Sequence, residues 1–386
     1  MSMLDRLRRM KWIYPLLNGL RRAGGRALMR LFRAIHGIDA NAVLFSSYVG
    51  RGYSDNPRPI SEALHAIRPQ TRIVWQLLPG CVPGDLPDYV EVVPARTLRS
   101  LKAYSTARCF VDNFNRPQYM LKFPGQLYVQ TWHGDRGFKK IMRDMGTGEP
   151  FPDGGQMDLA LSGSDFGSRV YRSAFGYEGE IMALGCPRND ILVNPPEGAA
   201  AKVKKALGIP EGARVFLYAP TFRDATAGRA QDALLDPEKV RAALESATGE
   251  RWIALTRGHD LNRGVAGGAS KDVSDYPEVS ELLLAVDLLI TDYSSIGGDF
   301  MLLKRPVIYY QPDRARYDRE LYFDPDQSPL IVAHTEAELM ALLSGPIDAA
   351  ANCRAVLDFF GAHESGRAAE AAARWIARQL DGDSPR

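Results

Sequence analysis

Apolar positions along this chain follow two periods. Short runs rich in β-branched and aromatic residues, AVLFSS, RIVWQLL, YVEVV, RCFVDN, LYVQTW and LALSGS, succeed one another from residue 42. Between them lie stretches such as PISEALHAI and SRVYRSAF, in which apolar residues recur every three or four positions. The first kind predicts buried strands and the second predicts helices packed on one face. Strand, loop and helix repeated in this order predict a parallel sheet covered by helices on both faces.

The pattern breaks at CPRNDILVNPPEGAAAKVKKALGIPEGA, whose four prolines suit a connector holding a short helix. It then restarts with RVFLYAP, a helix near DPEKVRAALESA, RWIALTR, VSELLLAV running into DLLITDYSS, RPVIYY, and LIVA running into EAELMALL. A second doubly wound unit is therefore expected, with the ligand cleft between the two. The predicted division is a tail at 1–36, an α/β domain at 37–190, a second at 191–345, and helices at 346–386 that pack back across both.

The tail has a pattern of its own. Met3, Leu7, Met10, Tyr14 and Leu17 recur at helical spacing, and Leu28, Leu31 and Ile35 continue it, with Pro15 and Gly24-Gly25 between. Two short helices are expected, each with an apolar and a basic face. Charge sharpens the picture. Residues 1–36 carry nine Lys or Arg against Asp5 alone, leaving 39 basic and 45 acidic side chains elsewhere, although the whole chain is only +2. A basic amphipathic segment suits an anionic membrane surface. A helix packed on its own domain is the plainer alternative, and RNA binding a more distant one; no nucleic-acid partner is expected.

Composition excludes several classes. At 386 residues, 45% apolar and 24% charged, the chain is globular rather than disordered. Cys81, Cys109, Cys186 and Cys353 are widely spaced, with no zinc-ligand spacing. The strings Asp324-Pro-Asp326 and Asp381-Gly-Asp383 lie in loop-like sequence and are expected to be surface carboxylates, so no metal site is expected. No run is long and apolar enough to cross a bilayer, and no signal peptide is expected.

Candidate chemistry gathers where strands end. LYVQTW delivers His133 and Gly134, followed by Gly137, Lys139 and Lys140. RWIAL leads to Arg257 and His259, and RVFLYAP to Thr221, Arg223 and Asp224. DLLITDYSSIGGDF closes on Thr291, Asp292, Ser294 and Ser295, with Gly297 and Gly298 able to admit a ligand. Serines at a strand-to-helix turn cap the helix, and the same turn can bind an anion. Each feature alone is as well explained structurally; their recurrence at strand ends is what points to one crevice.

Together, TWHGDRGFKK, SGSDF, GCPRND, YAPTFRD, RGHD, DVSDYPEVSELLLAVDLLITDYSS, GGDFMLLKRPVIYY and DRARYDRE, in this order over about residues 105–325, resemble the CDP-glycerol glycerophosphotransferases of teichoic acid and capsule synthesis. The resemblance implies a GT-B fold with an acceptor domain first and a CDP-alcohol domain second. It implies two essential histidines, His133 and His259, and a diphosphate held at Ser294 and Ser295. It also implies a lipid-linked saccharide or polymer acceptor and no cofactor beyond the donor, CDP-glycerol or CDP-ribitol. This chain departs from the family in reading Asp260 after His259, and DQSPL where P-G-P is usual.

The expected reaction is attack of an acceptor hydroxyl on the β-phosphorus of the CDP-polyol, releasing CMP. His133, titrating near neutrality, suits the base. His259, with Arg257 and the 294–295 turn, would offset the diphosphate charge. Lys139 and Lys140 would meet a phosphorylated acceptor, and Gly134, Arg223, Thr291 and Asp292 would complete the binding surface. The basic tail would hold the enzyme peripherally on the cytoplasmic face of the membrane. Competing expectations are a nucleotide-sugar glycosyltransferase or epimerase on the same fold, and a non-catalytic scaffold.

Overall fold

The computed structural model describes residues 13–117, 119–146, 154–221, 235–258, 270–317 and 319–382. Two wholly parallel sheets organise the chain. The first contains β1 (Asp39–Ser46), β2 (Arg72–Leu77), β3 (Val90–Pro94), β4 (Ala107–Asp112), β5 (Leu127–Gln130), β6 (Leu159–Ser162) and β7 (Glu180–Ala183), in the order 3-2-1-4-5-6-7. The second contains β8 (Arg214–Ala219), β9 (Trp252–Thr256), β10 (Lys271–Asp272), β11 (Leu288–Thr291), β12 (Val307–Tyr310) and β13 (Val332–Ala333), in the order 10-9-8-11-12-13. β2 and β8 are buried almost end to end and β1 over its last five residues, as strands covered on both faces must be. Strand order reverses between β1 and β4 and again between β8 and β11, so each sheet opens a crevice at the carboxyl ends of those strands.

The N-terminal segment differs from expectation. Among the described residues one helix, Ile13–His36, runs through Gly24 and Gly25 where a break was expected, and Met3, Leu7 and Met10 of the expected first helix lie outside the described residues. Pro15 lies in its first turn, where a missing N–H costs nothing. At Gly25 a Cβ would stand 2.9 Å from the Tyr119 ring, so the glycine permits close packing on Tyr119. That packing, with Met29 and Phe32 in the first core, offsets the roughly 1 kcal/mol that a mid-helix glycine costs. Leu17, Leu20, Leu28, Leu31 and Ile35 remain exposed. At 100° per residue they form a single stripe about 80° wide.

The C-terminal helices divide between the two sheets. Ala349–Phe360 places Cys353, Val356 and Phe360 in the core of the second. Ala368–Asp381 crosses back and buries Ala372, Ala373, Trp375 and Ile376 beside Phe45 and Trp75 of the first. A further exchange comes from Phe138, which leaves the first sheet's side to join Tyr309 and Phe323 in the second core, at centroid distances of 5.2 and 4.8 Å.

Between the sheets lies a buried charge network. Arg136, 1% exposed, pairs with Asp299 at 2.8 Å and Glu364 at 2.7 Å. Arg188 pairs with Asp299 at 2.9 Å and Asp55 at 3.3 Å, and Asn189 donates to both Asp299 and Glu364 at 2.9 Å. Burial alone would raise the Asp299 carboxyl, but Arg188 and Arg136 outweigh it and hold the group below its ordinary value. At the edge of this network the backbone N–H of Asp55 donates to Glu278 at 3.1 Å. Burial and the charge of Asp55 push the Glu278 carboxyl up to about 8 against the pull of Arg58.

Removing one partner from such a network leaves uncompensated buried charge. Asp299→Ala, which takes the shared carboxylate from two buried guanidinium groups and leaves each with one partner named above, is expected to cost about 3–5 kcal/mol in denaturant unfolding. Glu278 carries the opposite sign. Its folded pKa is raised, so its stabilising contribution is complete below the unfolded value of 4.5 and is lost as pH rises through about 8. Glu278→Gln should therefore be more stable than the parent at pH 9 and close to it at pH 4.5, with the difference growing between those limits.

Candidate active site

Each functional side chain is carried by a strand end held from behind. Beyond β5, the Trp132 N–H donates to Gln130 Oε1 at 2.9 Å, and Asn56 Nδ2 donates to the Trp132 carbonyl at 2.8 Å. Trp132 adopts a left-handed φ of 47°, a costly conformation for a bulky residue that marks a site over-determined by its surroundings. Asp135 then accepts from Ser162 Oγ, Gly163 N and Ser164 Oγ at 2.9, 2.9 and 2.6 Å, tying the loop to the SGSDF turn.

His133 Nδ1 lies 2.8 Å from the Asn113 carbonyl. A carbonyl only accepts, so Nδ1 carries the proton and Nε2 keeps its lone pair. Trp132, Tyr48 and Phe114 enclose the imidazole, with centroids 4.2, 5.3 and 5.3 Å away. Burial lowers its pKa below the ordinary 6.5 despite the Asn113 hydrogen bond and the charge of Asp55. The ring is neutral at pH 7 and equipped to take a proton.

A cavity of about 480 Å³ brings several of the expected residues together. His133 and Lys139 line it from the first sheet's side, and Thr221, Arg257 and Ser294 from the strand ends of the second. Arg257 is aimed by its own backbone contacts, Nη1 donating to the Val273 and Tyr276 carbonyls at 2.8 and 2.9 Å. Gly134 lies beside the turn, where a Cβ would come 3.7 Å from Ser295 Oγ. Arg319, which motif reading did not single out although it sits in DRARYDRE, completes the wall. Tyr317 of that segment stacks on Tyr293 at 3.7 Å, which anchors it next to the serines.

Other expected residues have different placements. Thr291 and Asp292 lie beneath the cavity, not in its wall. Thr291 Oγ1 donates to the Ala219 carbonyl at 2.7 Å, and Asp292 accepts from Thr221 N at 2.9 Å and Thr221 Oγ1 at 3.1 Å, so the pair shapes the 219–221 loop. Lys140 pairs with Glu320 at 2.7 Å beside the Lys139–Leu321 bridge, joining the two sides. Gly297 and Gly298 make room for protein, with Tyr309 against the first and Arg136 3.0 Å from a Cβ at the second. The helix after Ser295 spans only Ile296–Phe300, and Ser294 Oγ accepts from the Ile296 N–H at 3.4 Å. Arg223, Asp224, His259 and Asp260 lie outside the described residues; Gly258, immediately before His259, lines the cavity.

Among the described residues no group of three or more His, Cys, Asp or Glu side chains could hold a metal ion. What the cavity offers is a neutral imidazole base facing guanidinium, ammonium and hydroxyl groups. That set suits transfer between anionic partners.

Comparison with known proteins shows the family and the fold. Residues 28–378 match the family CDP-Glycerol:Poly(glycerophosphate) glycerophosphotransferase. The chain is 32% identical over 307 residues to a teichoic acid poly(glycerol phosphate) polymerase of Staphylococcus epidermidis, covering 74% of this chain and 42% of that protein. It is 31% identical over 299 residues to a teichoic acid glycerol-phosphate transferase of Staphylococcus aureus, covering 73% and 76%. The chain thus spans less than half the length of the first relative. The structure of the wall teichoic acid polymerase TagF superposes with a TM-score of 0.83 at 26% identity, covering 99% of each chain, and a TagF variant soaked with CDPG superposes at 0.81. An α/β fold of two parallel sheets, a match across nearly the whole chain and these relatives lead to one statement: the chain belongs to the CDP-glycerol:poly(glycerophosphate) glycerophosphotransferase family.

Proposed function

We propose that this chain transfers glycerol phosphate, or another polyol phosphate, from a CDP-alcohol to a hydroxyl of a membrane-associated, lipid-linked saccharide or polymer. The observation that carries the reading is the tautomer of His133, a residue with a basic Nε2 that lines the same cavity as Arg257, Lys139 and Ser294. The acceptor hydroxyl gives its proton to Nε2 as its oxygen forms a bond to the β-phosphorus. The bond from that phosphorus to the bridging oxygen breaks, and CMP departs with the electron pair. Arg257, with Lys139 and Arg319 near it, offsets the charge that builds on the diphosphate. His259, adjoining Gly258 in sequence, would share that task, and Ser294 and Ser295 would hold phosphate oxygens through their hydroxyls. No cofactor beyond the donor is invoked. The two sheets act as the facing domains of a GT-B enzyme, with acceptor on the first and donor on the second.

The exposed leucine stripe of the N-terminal helix supports a peripheral site of action on the cytoplasmic face of a membrane. Among the described residues no helix is long and apolar enough to cross one.

Purified protein is expected to release CMP from CDP-glycerol or CDP-ribitol, with EDTA present, and no nucleoside diphosphate from sugar donors. His133→Ala should lower kcat/KM by about 10² or more. Because burial lowers the His133 pKa, the rate should be flat at neutral pH and fall on acidification through a midpoint below 6.5. Retained activity in the alanine variant would sink the assignment. For the membrane contact, Leu20→Glu, Leu31→Glu and Ile35→Glu combined should weaken co-sedimentation with anionic vesicles more than about tenfold without lowering Tm, since the buried Met29 and half-buried Phe32 are left in place.

A further inference from the structure

The loop that follows β1 concentrates backbone strain beside the His133 imidazole. Tyr48, Val49 and Asp55 hold left-handed φ values of 46°, 60° and 58°, and Trp132, next to His133, holds 47°. Among the described residues only Arg96, Met142 and Lys304 share this backbone outside glycine. Such conformations are costly for side chains of this size, and their clustering marks a segment that its surroundings over-determine.

Tyr48 acts on the imidazole in two ways. Its ring lies against His133, with centroids 5.3 Å apart and planes inclined by 59°. Its backbone N–H donates at 2.8 Å to Oδ1 of Asn113, the residue whose carbonyl fixes the His133 tautomer. Asn113 Nδ2 in turn donates to Ser47 Oγ at 3.2 Å, so both ends of this fully buried amide are held by residues 47 and 48. Tyr48 itself lies outside the cavity wall.

The hydroxyl of the same tyrosine reaches the buried charge network. Tyr48 Oη donates to Asp55 Oδ2 at 2.8 Å, and burial together with the Asp55 charge raises the phenol well above its ordinary value, so it remains a donor. Asp55 is paired with Arg188 at 3.3 Å, and its N–H donates at 3.1 Å to Glu278 on the second sheet's side. Asn56, fully buried, repeats the link through its amide: Oδ1 accepts from the Arg188 N–H at 3.0 Å, and Nδ2 donates to the Trp132 carbonyl at 2.8 Å. Two adjacent residues thus connect the junction of the sheets to the His133 loop.

We propose that Tyr48 is a positioning residue through which the docking of the two sheets fixes the orientation and tautomer of His133. With Asp55 held by Arg188 and Glu278, the phenol is pinned, its N–H stays on Asn113, and the Asn113 carbonyl keeps the proton on Nδ1. Separation of the sheets would release Asp55 and loosen the wall behind the ring. The base is therefore complete only while the sheets are docked. The effect on rate rests on the transferase reading; the hold on the ring does not.

The test is Tyr48→Phe in the full chain, which keeps a ring against His133 and removes only the bond to Asp55. Nitrogen-labelled histidine reports the imidazoles by NMR, and the His133 signals are identified by their loss in His133→Ala. At pH 7 the parent should show one neutral tautomer with the proton on Nδ1. The variant should show exchange with the Nε2–H form, and its kcat for CMP release should fall about tenfold while KM for CDP-glycerol stays within about twofold. A tyrosine that merely supports the fold would lower Tm and leave the His133 nitrogens unchanged. Variant signals that match the parent's overturn the proposal, as does an unchanged kcat or a parent whose Nε2 carries the proton. In a parent that releases no CMP from any CDP-alcohol the transferase reading fails, and tautomer exchange in the variant still supports the hold on His133.

Discussion

Arg136, Arg188 and Asp299 bury three charges where the two sheets meet, and the geometry of the cleft depends on them. The two guanidinium groups arrive from the loop after β5 and from the connector after β7, and the carboxylate from the short helix Ile296–Phe300 after β11. Neither sheet could bury its own share alone, because an isolated charge in that environment would cost several kcal/mol. Glu364, on the crossing between the two C-terminal helices, closes the same network. Its 2.7 Å pairing with Arg136 ties the return of the chain to the position of the His133 loop. Docking of the sheets, placement of the His133 loop and the path of the C-terminus are thus one electrostatic problem with one solution.

That solution decides what the cavity can do. Arg136 follows His133 by three residues, so fixing its guanidinium leaves the intervening loop little freedom. Asp135 removes most of the rest by capturing the SGSDF turn. The imidazole then finds its partner in Asn113, a backbone carbonyl at the end of the neighbouring strand, and that bond selects the tautomer. Chemistry at His133 is therefore set by a peptide oxygen, not by a carboxylate. A base oriented this way has no carboxylate hydrogen-bonded to its ring, and burial keeps it neutral at pH 7.

Much of the architecture was readable beforehand because parallel strands declare themselves. Strands buried on both faces leave continuous apolar runs, and RIVWQL or RVFLYA can hardly be anything else. Strands with weak runs, EIMA at β7 and the two-residue β10, gave no such signal. The position of His133, Lys139, Arg257 and Ser294 around one cavity followed from the rule that strand ends share a crevice. Arg319 escaped because it lies on an irregular segment with no period to read. Asn113 escaped because its contribution is a main-chain oxygen, which every residue possesses.

The glycines show where sequence reasoning stops. Gly24 and Gly25 read as a helix break, and Gly297 and Gly298 as space for a ligand, because glycine permits both. In the folded chain Tyr119 occupies the room at Gly25, and Tyr309 and Arg136 the room beside Gly297 and Gly298. Local pattern alone determined the parallel α/β layers, the break between two units, the basic N-terminal segment and the ordering of motifs that marks the family, since all of these are periodicities or composition along the chain. The partner of each buried charge, the tautomer of His133 and the continuous N-terminal helix were decided only in three dimensions. Each depends on groups from distant segments competing for the same space and the same hydrogen bonds, and no property of a single segment ranks those competitors.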